Sequence, residues 1–174
     1  MKLLSKLCGV FAVVLSSCAT TSMPPVKTVT TVDLGRFMGD WYVIAHIPTG
    51  IEKDAYNAIE NYKLNVDGSI ATTFTFNKGA FNGEAKKYKP KGFVVPNTGN
   101  ALWGMQFIWP IKAEYKIAYL DSNYQMTVIA RNARDYVWIM ARKPHLDQSE
   151  YKKLTDYVAG LGYDMSKLRV VPQK

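Results

Sequence analysis

The side chains of this chain that could carry out chemistry are few and far apart. There are two histidines, His46 and His145, and two cysteines, Cys8 and Cys18. A metal centre needs three or four such ligands close together, and none of these residues has that company. Gly-x-Ser-x-Gly, His-Glu-x-x-His, a phosphate-binding glycine loop and Cys-x-x-Cys are all missing from the sequence. No catalytic residue, metal or cofactor is therefore assigned, and both histidines read as structural. The chemistry that does recur is apolar. Aromatic residues make up 13% of the chain, with 11 Tyr, 7 Phe and 4 Trp. Several stand at alternate positions: Phe74 and Phe76, then Trp103, Met105 and Phe107, then Tyr115, Ile117 and Tyr119, then Trp138 and Met140. Alternation places residues on one face of a strand. With Lys116 and Gln106 turned to water, these residues, joined by Tyr62 and Leu64, predict the lining of a site for a hydrophobic ligand. Plain core packing is the competing use.

Positioning such a lining takes strands. From Trp41 onward, short alternating segments are punctuated by turn residues, the pattern of an antiparallel barrel or sandwich. Eight strands are predicted, over 39–47, 55–66, 69–77, 83–95, 101–108, 113–121, 124–131 and 135–142. Asp67-Gly68, Asn82-Gly83 and Asp121-Ser122-Asn123 mark hairpin turns. The expected fold is all-β: an eight-stranded antiparallel up-and-down barrel, whose closure removes exposed edges, with a two-sheet sandwich as the alternative. One helix should follow. Asp147 and Glu150 form a capping box, Leu146 and Tyr151 a staple, and Gly162 a terminator. Tyr151, Leu154, Val158 and Leu161 form a stripe that should pack outside the barrel, with Leu168, Val170 and Val171 extending over the same surface.

Gly39-Asp40-Trp41 opens the first strand and Arg142 ends the last. A guanidinium over an indole is favourable by about 0.5–2 kcal/mol, and this pair would plug one end of a barrel. Its role is structural. The loops after the first, third, fifth and seventh strands then ring the open mouth. They carry Lys53, Lys78, Lys112, Arg131 and Arg134 against Glu52, Asp54 and Asp135, whereas the turns at the closed end hold acids and no base. A mouth that attracts an anionic head group while an acyl chain fills the cup is one reading, and a solvated rim is the other. Ile108, Trp109 and Ile111 make one mouth loop apolar, fit to touch a bilayer, gate entry or pair two copies as a homodimer.

The formal charge of +8 includes Lys2 and Lys6, which belong to a different kind of segment. A basic start, the apolar run from Leu7 to Leu15 and small residues before Cys18 read as a secretory signal over 1–17, too short to span a bilayer. Leu15-Ser16-Ser17-Cys18 resembles the bacterial lipobox, which implies acylation of Cys18. Ala19 in place of an Asp favours the outer membrane. With Cys8 removed and Cys18 acylated, the domain at 32–174 would hold no disulfide. Residues 19–31 read as a tether reaching about 45 Å when extended. The remaining lysines are scattered along strands instead of clustering on one helix, which argues against nucleic acid.

Eight strands and one helix, with Gly39-Asp40-Trp41 at the start, resemble the lipocalins. Tyr119-Leu120-Asp121-Ser122-Asn123-Tyr124 is similar to the second motif of that family, and Trp138-Ile139-Met140-Ala141-Arg142 to the third. Tyr42, Ile44, Ala45 and Pro48, and Tyr62 with Leu64, are similar to its bacterial-lipocalin and apolipoprotein D branch. The resemblance covers about residues 32–171. It implies a calyx for hydrophobic ligands in an outer-membrane lipoprotein, with fatty acids or lysophospholipids as partners. The chain departs from the branch at Val43, where a Glu is usual, and at Ala118 and Leu120 in the second motif. An enzyme on the same scaffold, or a filled barrel acting as an interaction module, are the other classes the sequence leaves open.

Overall fold

The computed structural model describes residues 23–174. The predicted signal at 1–17, the acylation site Cys18 and the start of the tether lie outside the described residues. The strands are β1 (Gly39–Ile47), β2 (Ala55–Leu64), β3 (Ile70–Lys78), β4 (Glu84–Tyr88), β5 (Lys91–Val94), β6 (Leu102–Ile108), β7 (Ile111–Leu120), β8 (Met126–Ala130) and β9 (Val137–Ala141). All pairings are antiparallel, and β9 returns to pair with β1 from Val137 to Ala141. The sheet is thus a closed barrel. The strand expected over 83–95 is broken in two at Lys89-Pro90. Both halves, β4 and β5, pair with β3 and fill one position of the eight. Proline has no N–H to give a ladder, and the Pro90 carbonyl instead accepts the Thr72 N–H at 3.1 Å.

Alternation sorts the apolar side chains into two clusters. One fills the barrel and includes Phe37, Trp41, Tyr62, Trp103, Tyr115 and Ile117. The other lies outside, where Leu154 and Val158 of helix α2 pack against Val128, Val137 and Ile139. This helix, α2 (Gln148–Gly160), starts at the expected capping box: Asp147 accepts the Glu150 N–H at 2.8 Å and Glu150 accepts the Asp147 N–H at 3.1 Å. Gly162 follows its end with φ of +86°, a conformation that suits glycine.

Several expectations need correction. Tyr119 does not face in. The β7–β8 register shifts between Ile117 and Tyr119, and this bulge turns Ala118 and Tyr119 onto the outer cluster, with the Tyr119 ring 5.4 Å from that of Tyr157. Leu64, at the end of β2, is exposed. Lys116 points outward as predicted but does not meet water, because the N-terminal segment covers it and its ammonium donates to the Val26 carbonyl at 2.9 Å. The segment read as a free tether is therefore bound to the barrel. Val26 N–H donates to Asn132, Val29 N–H to the Ile117 carbonyl and Val32 N–H to the Gly99 carbonyl. It runs from the β8–β9 loop at the mouth to a turn at the closed end. There a single-turn helix not predicted from sequence, α1 (Leu34–Phe37), forms the barrel floor. Asp33 caps it by accepting the Arg36 N–H.

The C-terminal tail also departs from expectation. Leu168 packs on the helix side, but β10 (Arg169–Val170) pairs with β1 at Ala45 and His46. Since β2 pairs with β1 only from Gly39 to Tyr42, the tail occupies the seam where the two strands diverge. Val171 N–H donates to the Ile44 carbonyl, the Pro172 carbonyl accepts the Asn57 N–H, and the Gln173 amide donates to the Val43 and Ala58 carbonyls. Val171 is thereby buried in the inner core, while Val170 stays exposed.

Candidate ligand-binding cavity

The closed end is built around Arg142. Its guanidinium lies 3.9 Å from the centroid of the Trp41 ring and donates to the carbonyls of Arg36, Phe37, Met38 and Asp40 at 2.7–2.9 Å. These carbonyls belong to α1 and the residues after it, where helix geometry leaves acceptors unpaired. The planar fork carries five donors spread over three nitrogens, so it can serve these carbonyls while lying over the indole, whereas a lysine has three donors on one atom. The Trp41 indole N–H donates to the Phe37 carbonyl at 2.8 Å. Gly39 has φ of +94°, and a Cβ there would sit 3.4 Å from the Arg142 guanidinium. The three residues singled out from sequence thus form one unit at the floor.

Above the floor the barrel is filled with rings. Phe37 stands 5.0 Å from Trp41 and 5.4 Å, edge-on, from Trp103, and Trp103 stacks on Tyr115 at 5.0 Å. Such pairs add to their area burial. A cavity of about 140 Å³ begins where this packing stops. Of the twelve residues predicted to line it, Phe74, Met105, Phe107, Tyr115 and Trp138 do so, and Tyr119 and Leu64 lie outside the barrel interior. Phe107 sits at the rim, 53% exposed. Tyr62, Phe76, Trp103, Ile117 and Met140 face inward but belong to the packed interior. An eight-stranded barrel has room either to fill itself or to hold one small ligand, and this one does both at different levels.

Sequence reasoning read Glu52 as a rim charge and did not single out Glu60 or Glu114, yet all three acids stand in the cavity wall. The signal for Glu60 was present: it shares parity on β2 with Ala58 and Tyr62, both buried. It lies deep in the barrel, and the surface it retains faces the cavity. Tyr62 donates to one carboxylate oxygen, and the Tyr115 hydroxyl is 2.7 Å from that of Tyr62. Burial pushes the Glu60 carboxyl up to about 7; the Tyr62 hydrogen bond opposes the rise, and the charge of Glu52 adds to it. Burial by itself would raise Glu52 as well. It ends below its ordinary value because His46, the Thr49 N–H and the Trp138 indole outweigh that effect. His46 Nδ1 is 3.6 Å from Glu52, an ion-pair distance too long for a hydrogen bond. The Trp138 N–H donates at 3.2 Å and the Thr49 N–H at 2.9 Å. Glu52, expected among the rim loops, therefore belongs to the cavity.

The five cations predicted at the mouth separate into distinct roles. Arg131 lines the cavity and pairs with Asp135 at 3.0 Å. Arg134 is engaged elsewhere, donating to the carbonyls of Leu161, Asn132 and Pro24. It fastens the end of α2 and the N-terminal segment to the barrel. Lys112 lies over the Phe93 ring at 3.8 Å. Lys53 and Lys78 share a groove of about 340 Å³ beside the mouth with Lys86 and Asp54. The loop expected to be apolar is so: Ile108, Trp109 and Ile111 are exposed, Trp109 by 82%.

Comparison with known proteins agrees with this geometry. Residues 32–173 match the family described as a lipocalin-like domain. Temperature-induced lipocalin-1 of Arabidopsis thaliana is 31% identical over 166 residues, covering 88% of this chain and 86% of that protein. Outer membrane lipoprotein Blc of Citrobacter freundii is 26% identical over 178 residues, covering 99% and 98%. Among solved structures, insecticyanin of the tobacco hornworm Manduca sexta superposes with a TM-score of 0.65 at 19% identity, covering 85% of this chain and 84% of that one. That likeness speaks to the fold alone.

Proposed function

The chain belongs to the lipocalin family, whose members bind small hydrophobic ligands, and from that premise we propose that it binds an amphiphilic lipid of the fatty acid or lysophospholipid class at the bacterial outer membrane. The observation that carries this reading is the apolar cavity in a barrel closed at one end by Arg142 and open at the other. The acyl chain enters the cavity between Phe74, Met105, Tyr115 and Trp138. An anionic head group stays at the rim, within reach of the groove formed by Lys53, Lys78 and Lys86.

Similarity to an outer membrane lipoprotein supports the membrane location. In this reading the signal is removed and the new N-terminal Cys18 is acylated, with the domain facing the periplasm. The chain from Cys18 reaches the folded domain at the mouth, where the Pro24 carbonyl accepts from Arg134. Four residues lie between Cys18 and Met23, so the anchor cannot stray more than about 20 Å from that rim. Exposed Phe107, Ile108, Trp109 and Ile111 stand at the same end. Anchor and apolar loop together turn the mouth toward the bilayer, where lipid ligands reside.

Mass spectrometry of organic extracts from protein purified out of its native membrane tests the ligand class. The expected result is stoichiometric lipid carrying a single acyl chain. Extracts free of lipid, combined with no binding of added fatty acid or lysophospholipid, would overturn the reading.

A further inference from the structure

The polar atoms around the cavity are almost all committed to one another, and the few that remain define what a ligand must bring. The Trp138 indole N–H is used by Glu52, whose other oxygen accepts the Thr49 N–H. Both Glu114 oxygens accept from Asn132. Arg131 is paired with Asp135 through Nη1, while its Nε–H, in the β8–β9 loop at the rim, has no partner. Deeper in, the Tyr62 hydroxyl has one proton and donates it to Glu60, so the 2.7 Å contact between the two phenols takes its proton from Tyr115. Neither phenol has a proton left for a ligand. Glu60 Oε2 is occupied by Tyr62, and among the described residues Oε1 has no protein donor. It lies in the barrel interior with the cavity as its remaining outlet. The deep wall therefore presents a single open polar function, and with Glu60 ionised it is an acceptor. The unpartnered hydroxyl of Thr49 belongs to the β1–β2 loop at the rim.

We infer that the cavity is built for an acyl chain whose buried end carries a hydrogen-bond donor, a terminal or near-terminal hydroxyl, received by Glu60 Oε1. The inference rests on the proposed lipid-binding function and adds which chain is preferred. A plain methyl end pushed against that oxygen would displace water from an acceptor without replacing its hydrogen bond, and an unpaired buried acceptor opposes binding. A hydroxyl restores the bond at the same site. The cavity is also small. An engineered apolar cavity of about 150 Å³ holds one benzene, so the resting space accepts a short stretch of chain, with the carboxylate left at the rim. A medium chain with polar groups at both ends fits that geometry.

Three ligands built on one eight-carbon chain test this: octanoate, 8-hydroxyoctanoate and 8-methoxyoctanoate, titrated by calorimetry at pH 8, where Glu60 is mostly ionised. The hydroxylated acid is expected to bind about tenfold or more tighter than the other two, the size of a hydrogen bond to a charged group. Glu60→Gln, whose single oxygen is held by Tyr62, turns an amide N–H to the cavity and should bring the methoxy ligand close to the hydroxyl ligand in affinity. Glu60→Leu removes the acceptor and should bring the three ligands within about threefold of one another, with a far-UV circular dichroism spectrum like that of the unmodified protein as evidence that the barrel is intact. Equal affinities in the unmodified protein, or a preference that survives Glu60→Leu, would overturn the inference and leave lipid binding standing. Failure of all three ligands and of longer fatty acids would overturn both.

Discussion

Glu60 shows how a single residue ties stability to the site. Its carboxyl is held at about 7, against an ordinary value of 4.5, chiefly by burial. The folded state then binds a proton more tightly than the unfolded chain. This contribution is fully present below about pH 4.5 and is lost as pH rises through 7. Each unit corresponds to about 1.4 kcal/mol, so the loss is on the order of 3–4 kcal/mol. Glu52 works in the opposite sense, its lowered value costing stability only below the ordinary carboxylate range, so the two windows separate. Thermal unfolding should show the midpoint falling between pH 5 and 8, and Glu60→Gln should flatten that slope. A variant with the unchanged slope would mean that Glu60 is not the titrating group. Arg142 is the counterpart at the floor. Its fork serves five carbonyls and one indole face, and the Arg-ending stretch at 138–142 was legible as a motif. The carbonyls it would serve were not, because α1 was not predicted.

At the level of elements, the capping box, the turns and the strand alternation were readable because each depends on neighbours in sequence. Pro90 could have been read as a break and was passed over. The bulge at Ala118 carries no comparable local mark, and it reversed the facing of Tyr119. The tail is the strongest case of an element defined by what surrounds it. Residues 169–174 have little pattern of their own, yet they close the gap left where β2 leaves β1 after Tyr42. Deleting residues 169–174 removes several ladder hydrogen bonds and the burial of Val171. About 2–4 kcal/mol of stability should be lost, read as a lowered urea midpoint. An unchanged midpoint would show that the β1–β2 seam closes without the tail.

At the scale of the molecule, the two ends of the barrel differ in chemistry and in what they face. In the proposed orientation the N-terminal segment brings the Cys18 side to the mouth, beside Trp109 and its apolar neighbours. A full-length Cys18→Ala variant, lacking the acylation site, should move largely from the membrane to the soluble fraction but retain weak binding to vesicles of anionic and zwitterionic phospholipid. Adding Trp109→Ser should reduce that residual binding several-fold in a sedimentation assay, since an interfacial aromatic contributes through its buried area. Equal sedimentation of the two variants would place the membrane contact elsewhere.

The family, the strand count, the helix and its cap, the Gly39–Trp41–Arg142 unit and the inward parity of most aromatics were all determined by the sequence itself. Each is a matter of local period, turn chemistry or a short motif. Tertiary structure alone decided which inward residues line space and which fill it. That depends on how rings from Phe37, Trp41, Trp103 and Tyr115, far apart in sequence, stack to a given height. It also decided that Arg134 is a brace and not a rim charge, that the described part of the tether is bound, and that the acid Glu60 stands in the cavity wall. Hydrogen-bond partners between distant strands settle such questions, and no spacing along the chain encodes them directly.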